Sequence, residues 1–154
     1  MPQDEIVTYP TAKLAKEKNF DLYTFEYYTS EGERSFKIEE SNGESEYRFD
    51  YTDFEENWNQ KNLVITKDGS GCFGCKQDNV KYFESFSAPT QTGLQTWLRV
   101  KHKIHLTVIH RNSMADGNEY YDWLIEGMLV CYRHFTTWEQ ALENGLLEAL
   151  RLIK

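Results

Sequence analysis

The segment Ala88-Pro-Thr-Gln-Thr-Gly-Leu-Gln-Thr-Trp-Leu-Arg-Val-Lys-His-Lys-Ile104 constrains the fold of this chain more than any other. Pro89 lies where a first helical turn tolerates a missing N–H, and Ser87 or Thr90 can cap it. Leu94, Trp97 and Leu98 then recur at helical spacing as one apolar stripe, extended by the stem of Lys101. Arg99, Lys101, His102 and Lys103 gather where the helix dipole is negative. Ile104, Leu106 and Val108 follow with period two, so the helix runs directly into a strand. A stripe of this kind needs a sheet face to cover it.

Two more helices flank it. Thr137-Trp-Glu-Gln140 has the form of a capping box. Behind it, Trp138, Ala141, Leu142, Leu146, Ala149, Leu150 and Ile153 make a continuous apolar face. Gly145 within that face costs about 1 kcal/mol against Ala, and its small size allows close packing on a sheet. A short opening helix is expected over Pro10–Lys18, with Thr8 as cap and Ala12, Leu14, Ala15 and Lys18 on adjacent faces. Asn19 suits the left-handed residue that ends it, and Phe20 can fold back onto it. Leu14–Phe20 and Leu98–Ile104 share this punctuation: helix end, two-residue turn, strand.

Between the helices the pattern is that of strands. Tyr23, Phe25 and Tyr27 fall on one face of a strand over Leu22–Thr29, and Arg34–Glu39 can return beside it. Asn42-Gly43 is a hairpin signal, followed by the alternation Tyr47, Phe49, Tyr51. Residues 52–62 are ambiguous between a helical turn and a loop. Leu63–Thr66 and Val80–Phe86 read as strands, Lys67–Asn79 as a loop, and Asn112–Asn118 as a polar turn. Glu119–Arg133 reads as one long strand region bent at Gly127. Aromatic residues form 15% of the chain, which suits half-buried sheet surfaces.

Charge separates the chain into two parts. Residues 1–60 carry 15 Asp and Glu against 6 Lys and Arg, a net of −9, whereas residues 61–154 carry 10 against 11. An acidic chain lacks the usual electrostatic footprint for nucleic acid, so nucleic acid is not an expected partner. Arg99, Lys101, His102, Lys103 and His105 do form a local basic patch near Trp97, but helix-end complementarity accounts for it more simply. No apolar run approaches the roughly 18 residues of a membrane span. The first residues hold neither the basic nor the apolar run of a signal peptide, and three cysteines are an odd number, so reduced thiols and a cytoplasmic location are the expectation.

Cys72-Phe-Gly-Cys75 is the sharpest chemical motif, since two thiolates at this spacing can chelate a metal or cycle as a redox pair. A structural zinc site needs four ligands. No second pair exists, so Cys72 and Cys75 become a metal site only if the fold brings His102, His105, His110, His134 or Cys131 to them. A redox pair should open a helix after a strand, and this one lies in a Gly-rich stretch, so inert loop thiols are the preferred reading and no cofactor is expected. Glu39, Glu40, Glu44 and Glu46 belong to an acidic run with interleaved aromatics. That run can serve as a solvated hairpin face or as an imitation of a nucleic-acid backbone. No Ser/His/Asp signature, phosphate-cradling loop or His-Glu-x-x-His motif is present. Pairs such as Asp116 and Glu119 are too common to carry weight. An enzyme is not expected, although catalytic groups scattered along a chain leave no motif.

Thr11–Phe20, Ala88-Pro-Thr-Gln91 with Trp97-Leu-Arg99, and Trp138–Leu150 together resemble a group of small uncharacterised proteins found in bacteria and their phages or prophages. Members share the short opening helix, an APTQ…WLR helix entering a strand, and a closing EALE.GL.EAL helix. Asn19 replaces the Gly of the shared pattern, and both suit a left-handed position. Cys72 and Cys75 fall outside it. The resemblance implies a phage or mobile-element context and brings no activity and no catalytic residues.

These readings converge on one α+β domain spanning 1–154. A twisted, mainly antiparallel sheet is packed by two to three helices, with Leu94, Trp97, Leu98, Leu142, Leu146 and Leu150 buried against it. The expected function is a non-enzymatic interaction module of prophage origin that binds a host protein or self-associates. The alternatives are an acidic nucleic-acid mimic inhibiting a host DNA- or RNA-binding protein, and a small metal- or thiol-dependent enzyme.

Overall fold

The structure, a computed structural model, describes residues 4–24, 26–28, 32, 34–35, 59, 62–65, 71–73, 81–113 and 117–154. Its elements run α1 (Tyr9–Glu17), β1 (Glu26–Tyr28), β2 (Arg34–Ser35), β3 (Asn62–Ile65), β4 (Gly71–Phe73), β5 (Lys81–Glu84), β6 (Phe86–Ala88), α2 (Gln91–His102), β7 (Leu106–Asn112), β8 (Glu119–Ile125), β9 (Leu129–Phe135) and α3 (Trp138–Leu152). The chain is α+β. Among the described residues the strands form three three-stranded sheets, ordered β2-β1-β6, β4-β3-β5 and β7-β8-β9, with antiparallel pairing throughout.

Local chemistry explains the helix boundaries. α1 ends in a Schellman arrangement: Asn19 is left-handed at φ 60°, its N–H donates to Lys16 O, and the Phe20 N–H donates to Ala15 O at 2.9 Å. Phe20 then turns into the core. α2 closes one residue wider: Lys103 is left-handed at φ 58°, and both its N–H and that of Ile104 point to Leu98 O. Ile104 is buried as Phe20 is, so the two helix ends share the punctuation expected from sequence. Thr90, not Ser87, caps α2 by accepting from the Gly93 N–H, which leaves Pro89 just outside the helix. Ser87 instead lies in β6, where it exchanges hydrogen bonds with Asn59. Thr137 caps α3 by accepting from the Gln140 N–H.

The central helix is α3. Ala141, Leu142, Leu146, Ala149 and Leu150 are buried, and the last four join Leu94, Trp97 and Leu98 of α2 in one core with Leu106, Trp123 and Ile125 of the last sheet. Each such large apolar side chain contributes about 1.5–3 kcal/mol relative to exposure. Gly145 sits where the helix rests on the sheet: a Cβ there would lie 2.7 Å from Leu106 Cδ1 and 3.1 Å from Trp123 Cγ. α1 runs parallel to α3, tied at one end by Thr8 to Glu143 and at the other by the Lys18 ammonium to the Ile153 carbonyl.

Several expectations are corrected. Trp138 is exposed rather than part of the core face, because the first turn of α3 overhangs the packed surface that begins at Ala141. Residues 119–133 are not one bent strand. Gly127, at φ 70°, reverses the chain, and Met128 N–H closes the turn onto Ile125 O at 3.0 Å, so two strands form. Gly71–Phe73, expected within a loop, pairs with β3. The expected strand 80–86 divides at buried Ser85, with β5 joining β3 and β6 joining β1. Of the expected strand over 22–29, Glu26–Tyr28 form β1 and Tyr23 is exposed ahead of it, while Phe25 and Thr29 lie outside the described residues. Asn42-Gly43 and the alternation at 47–51 lie outside the described residues.

Candidate interaction surface

Three residues of the basic patch of α2 are engaged in structural contacts. Lys101 pairs with Asp21, Lys103 Nζ donates to Val100 O at 2.9 Å, and the His102 ring packs edge-on to Trp97 with centroids 4.5 Å apart. Asp21 also accepts from Trp97 Nε1 at 2.9 Å, and these two hydrogen bonds, first from Lys101 and then from Trp97, hold its carboxyl below the usual range.

The motif candidates are placed only in part. Cys72 lies in β4 opposite Val64, whereas Cys75, Glu39, Glu40, Glu44 and Glu46 lie outside the described residues. Cys131 is a free thiol on the core side of β9. Among the described residues no three His, Cys, Asp or Glu side chains gather as a metal site, and no helix is long and apolar enough to cross a membrane.

The N-termini of all three described helices converge. The Ile6–Thr90 bridge sets the entry to α1 beside that of α2, Gln91 N–H donates to Glu5 O, and Gln91 Nε2 reaches Glu139 O and Glu143 Oε2. Each N-terminus carries partial positive charge, and the chain supplies its own anions. Asp4 accepts from the Thr92 N–H, Glu139 lies in the first turn of α3, and Glu143 of α3 lies against the start of α1. Two clefts open beside this junction, one lined by Thr11, Phe135 and Leu147, the other by Tyr121 and Trp138. They share Glu5 and Glu139, and among the described residues no Lys or Arg lines either. The carboxylates there neutralise helix dipoles, which is sufficient reason for them.

The last sheet has one face against α3 and one face away from it. Leu106, Val108, Trp123, Ile125, Cys131 and Phe135 pack into the core. Ile109, Arg111, Tyr120, Asp122, Val130 and Tyr132 alternate with these and project from the other side. Asp122 is fully buried on that far side. Its Oδ1 accepts the His134 N–H at 3.1 Å and lies 3.3 Å from His134 Nδ1. Its Oδ2 lies 3.1 Å from Arg111 Nε without hydrogen-bond alignment, so that contact is an ion pair. His134 is left-handed at φ 58° and packs 4.2 Å from Tyr120, while the Arg111 guanidinium lies 5.5 Å over the Tyr132 ring. Between Trp123↔Cys131 and Tyr121↔Phe135 the pairing shifts, with two extra residues on β9. Asp122 sits opposite this bulge and holds it. Sequence reasoning missed the cluster; its one signal was a lone acid inside Tyr-Tyr-Asp-Trp-Leu-Ile.

Before the bulge, β9 pairs regularly with β8 from Leu129 to Cys131, with Met128 in the turn ahead of it and Tyr132 at the start of the register shift. Met128, Val130 and Tyr132 are 59%, 51% and 63% exposed, and Leu129 is 40% exposed. Four of the large hydrophobic residues exposed on the described surface thus fall within five positions, at the edge of the sheet.

No known protein family, curated protein or solved structure matched this chain.

Proposed function

We propose that the chain is a non-enzymatic protein-interaction module that works in the cytoplasm, of phage or prophage origin as the resemblance implies, and that it binds a host protein or associates with itself. One observation carries the reading: exposed Val130 and Tyr132 on one face of the edge strand β9, with exposed Met128 in the turn ahead of it. A contiguous apolar patch of this kind marks an interaction surface far more often than isolated exposed side chains do. Edge strands without guarding charge also accept further strands. The polar groups beside it fit the same role, since Asp122, Arg111 and His134 fix the shape of β9.

The test combines capture from bacterial lysate with light scattering on the purified chain. The expected result is a specific partner or a defined oligomer, lost in the Val130→Lys and Tyr132→Lys variants. A strictly monomeric chain that captures nothing overturns the reading.

A further inference from the structure

We infer that the two clefts at the helix junction form one acidic groove that takes lysine or arginine side chains from a basic segment of a protein partner. The inference rests on the interaction reading above and adds the chemistry of the partner, at a surface separate from Val130 and Tyr132.

The groove carries more negative charge than the helix ends cancel. The three N-termini supply about half a positive charge each, whereas Asp4, Glu5, Glu139 and Glu143 each bring a full negative one. Two of these carboxylates are engaged: Asp4 accepts from the Thr92 N–H, and Glu143 accepts from Thr8, Thr11 and Gln91. The other two, Glu5 and Glu139, line both clefts, and no hydrogen bond or ion pair to a described residue engages their carboxylates. Their backbone is fixed all the same. Glu5 O accepts the Gln91 N–H at 2.7 Å, and Glu139 lies in the first turn of α3.

Gln91 shows that the groove is short of a donor. The residue is 3% exposed and stands in the wall of the first cleft. Its Nε2 donates to Glu139 O at 3.2 Å and to Glu143 Oε2 at 3.1 Å, which fixes the amide. Its Oε1 is buried and has no hydrogen-bond partner. A buried acceptor left unpaired is costly, and neither a helix dipole nor a carboxylate offers it a proton. An ammonium or guanidinium group entering beside it brings several N–H donors.

The walls suit a long basic side chain better than a bare ion. The first cleft, of about 480 Å³, has Phe135 and Leu147 in its walls, and the second has Tyr121 and Trp138. Apolar walls bury a methylene stem, and aromatic faces attract the cation at its end. Trp138, whose spacing in the sequence called for burial, is 39% exposed beside Glu139. Among the described residues no three His, Cys, Asp or Glu side chains gather as a metal site, so a divalent ion finds no cage there. The two clefts adjoin at Glu5 and Glu139, so neighbouring basic residues of one partner chain can fill both.

The test is an NMR titration of the full chain with a blocked pentapeptide of alternating arginine and glycine. Saturable shifts are expected at the Trp138 indole and the Gln91 side-chain amide, with a dissociation constant of about a millimolar. Glu5→Gln and Glu139→Gln should each weaken binding about threefold, the range of exposed ion pairs, with an unchanged circular dichroism spectrum. Added salt should weaken it further. Equal binding of the same peptide with glutamine in place of arginine overturns the inference, as do absent shifts at Trp138 and Gln91 or affinity unchanged in both glutamate variants. Free arginine amide binding as tightly as the peptide also overturns it, because the groove would then hold a small amine and not a partner chain. If the peptide fails while a lysate partner is still captured and lost in Val130→Lys, the inference falls and the interaction reading stands.

Discussion

The Thr8 hydroxyl, at the cap position of α1, donates to Glu143 Oε1 of α3 at 2.7 Å instead of turning back to its own helix. The Thr8 N–H and the Thr11 hydroxyl converge on the same oxygen, at 2.9 and 2.5 Å, and Gln91 Nε2 of α2 reaches the other at 3.1 Å. One carboxylate therefore replaces the missing cap of α1 and joins three helices.

Removing that carboxylate should be costly. Glu143→Ala leaves the buried Thr11 hydroxyl and the Thr8 donors without their acceptor, and unsatisfied buried polar groups cost about 1–3 kcal/mol each. A loss of about 3 kcal/mol is expected, read as a fall in the urea midpoint with an unchanged slope. Glu143→Gln keeps one acceptor oxygen and should lose about 1 kcal/mol. A loss for Glu143→Ala no larger than that for Glu143→Gln would show that the junction is held by packing alone.

Gly145→Ala tests how closely α3 rests on the sheet. Helix propensity alone favours Ala by about 1 kcal/mol. A Cβ meeting Leu106 Cδ1 and Trp123 Cγ inside a filled core must displace one of them, and overpacking costs about 1–3 kcal/mol. The second effect should win, because the Trp123 ring is also fixed by its Nε1 bond to Asn144 Oδ1 at 3.0 Å. The expected outcome is a melting temperature lower by about 2–4 °C, measured by calorimetry. A rise would mean that the helix can lift from the sheet without strain.

Features decided by a few neighbouring residues were legible in the sequence. The Thr90 and Thr137 caps, the left-handed Asn19, the apolar stripes of α2 and α3 and the closeness implied by Gly145 all follow from local spacing. What pairing decides was not. The Thr8 hydroxyl had a local use, and a carboxylate 135 residues away outcompeted it. Asp122 reads as one acid among many until β7 and β9 bring Arg111 and His134 to it. The division of one apolar run at Ser85 depends on two different strands claiming its halves. Trp138 has the right period for burial, and only the extent of the sheet excludes it.

Asp21 sets an acid-side dependence. Its carboxyl is held below the ordinary range by hydrogen bonds from Lys101 and then Trp97. A group depressed in the folded state contributes stability above its unfolded pKa of about 3.9, and that contribution is lost as pH falls through the folded value. The window therefore lies below about pH 4. Because both Asp21 and Lys101 are nearly half exposed, solvent screening limits the effect to under about 1 kcal/mol. Melting curves of the wild type and Asp21→Asn should differ at pH 7 and converge at the acid end. A difference that stays constant with pH would assign the role of Asp21 to shape instead of charge.

The Asp122 cluster should behave as a unit. Asp122 is buried but the Arg111 side chain is 39% exposed, so removing the carboxylate leaves a guanidinium that water can solvate, and the cost is that of the lost buried acceptor, about 1–3 kcal/mol. Asn at 122 can still accept the His134 N–H, so Asp122→Asn should lie near the lower end, about 1 kcal/mol. Replacing both partners, as in Asp122→Asn with Arg111→Met, removes the orphaned charge and should cost less than the sum of the single changes, with a coupling of about 1–3 kcal/mol. The readout is a double-mutant cycle by denaturant unfolding, paired with hydrogen exchange at the His134 amide. That amide should lose protection first in Asp122→Ala, where nothing accepts its N–H and the bulge of β9 loses its anchor. Additive single effects with unchanged protection at His134 would mean that the bulge is set by the β8–β9 pairing and not by the buried carboxylate.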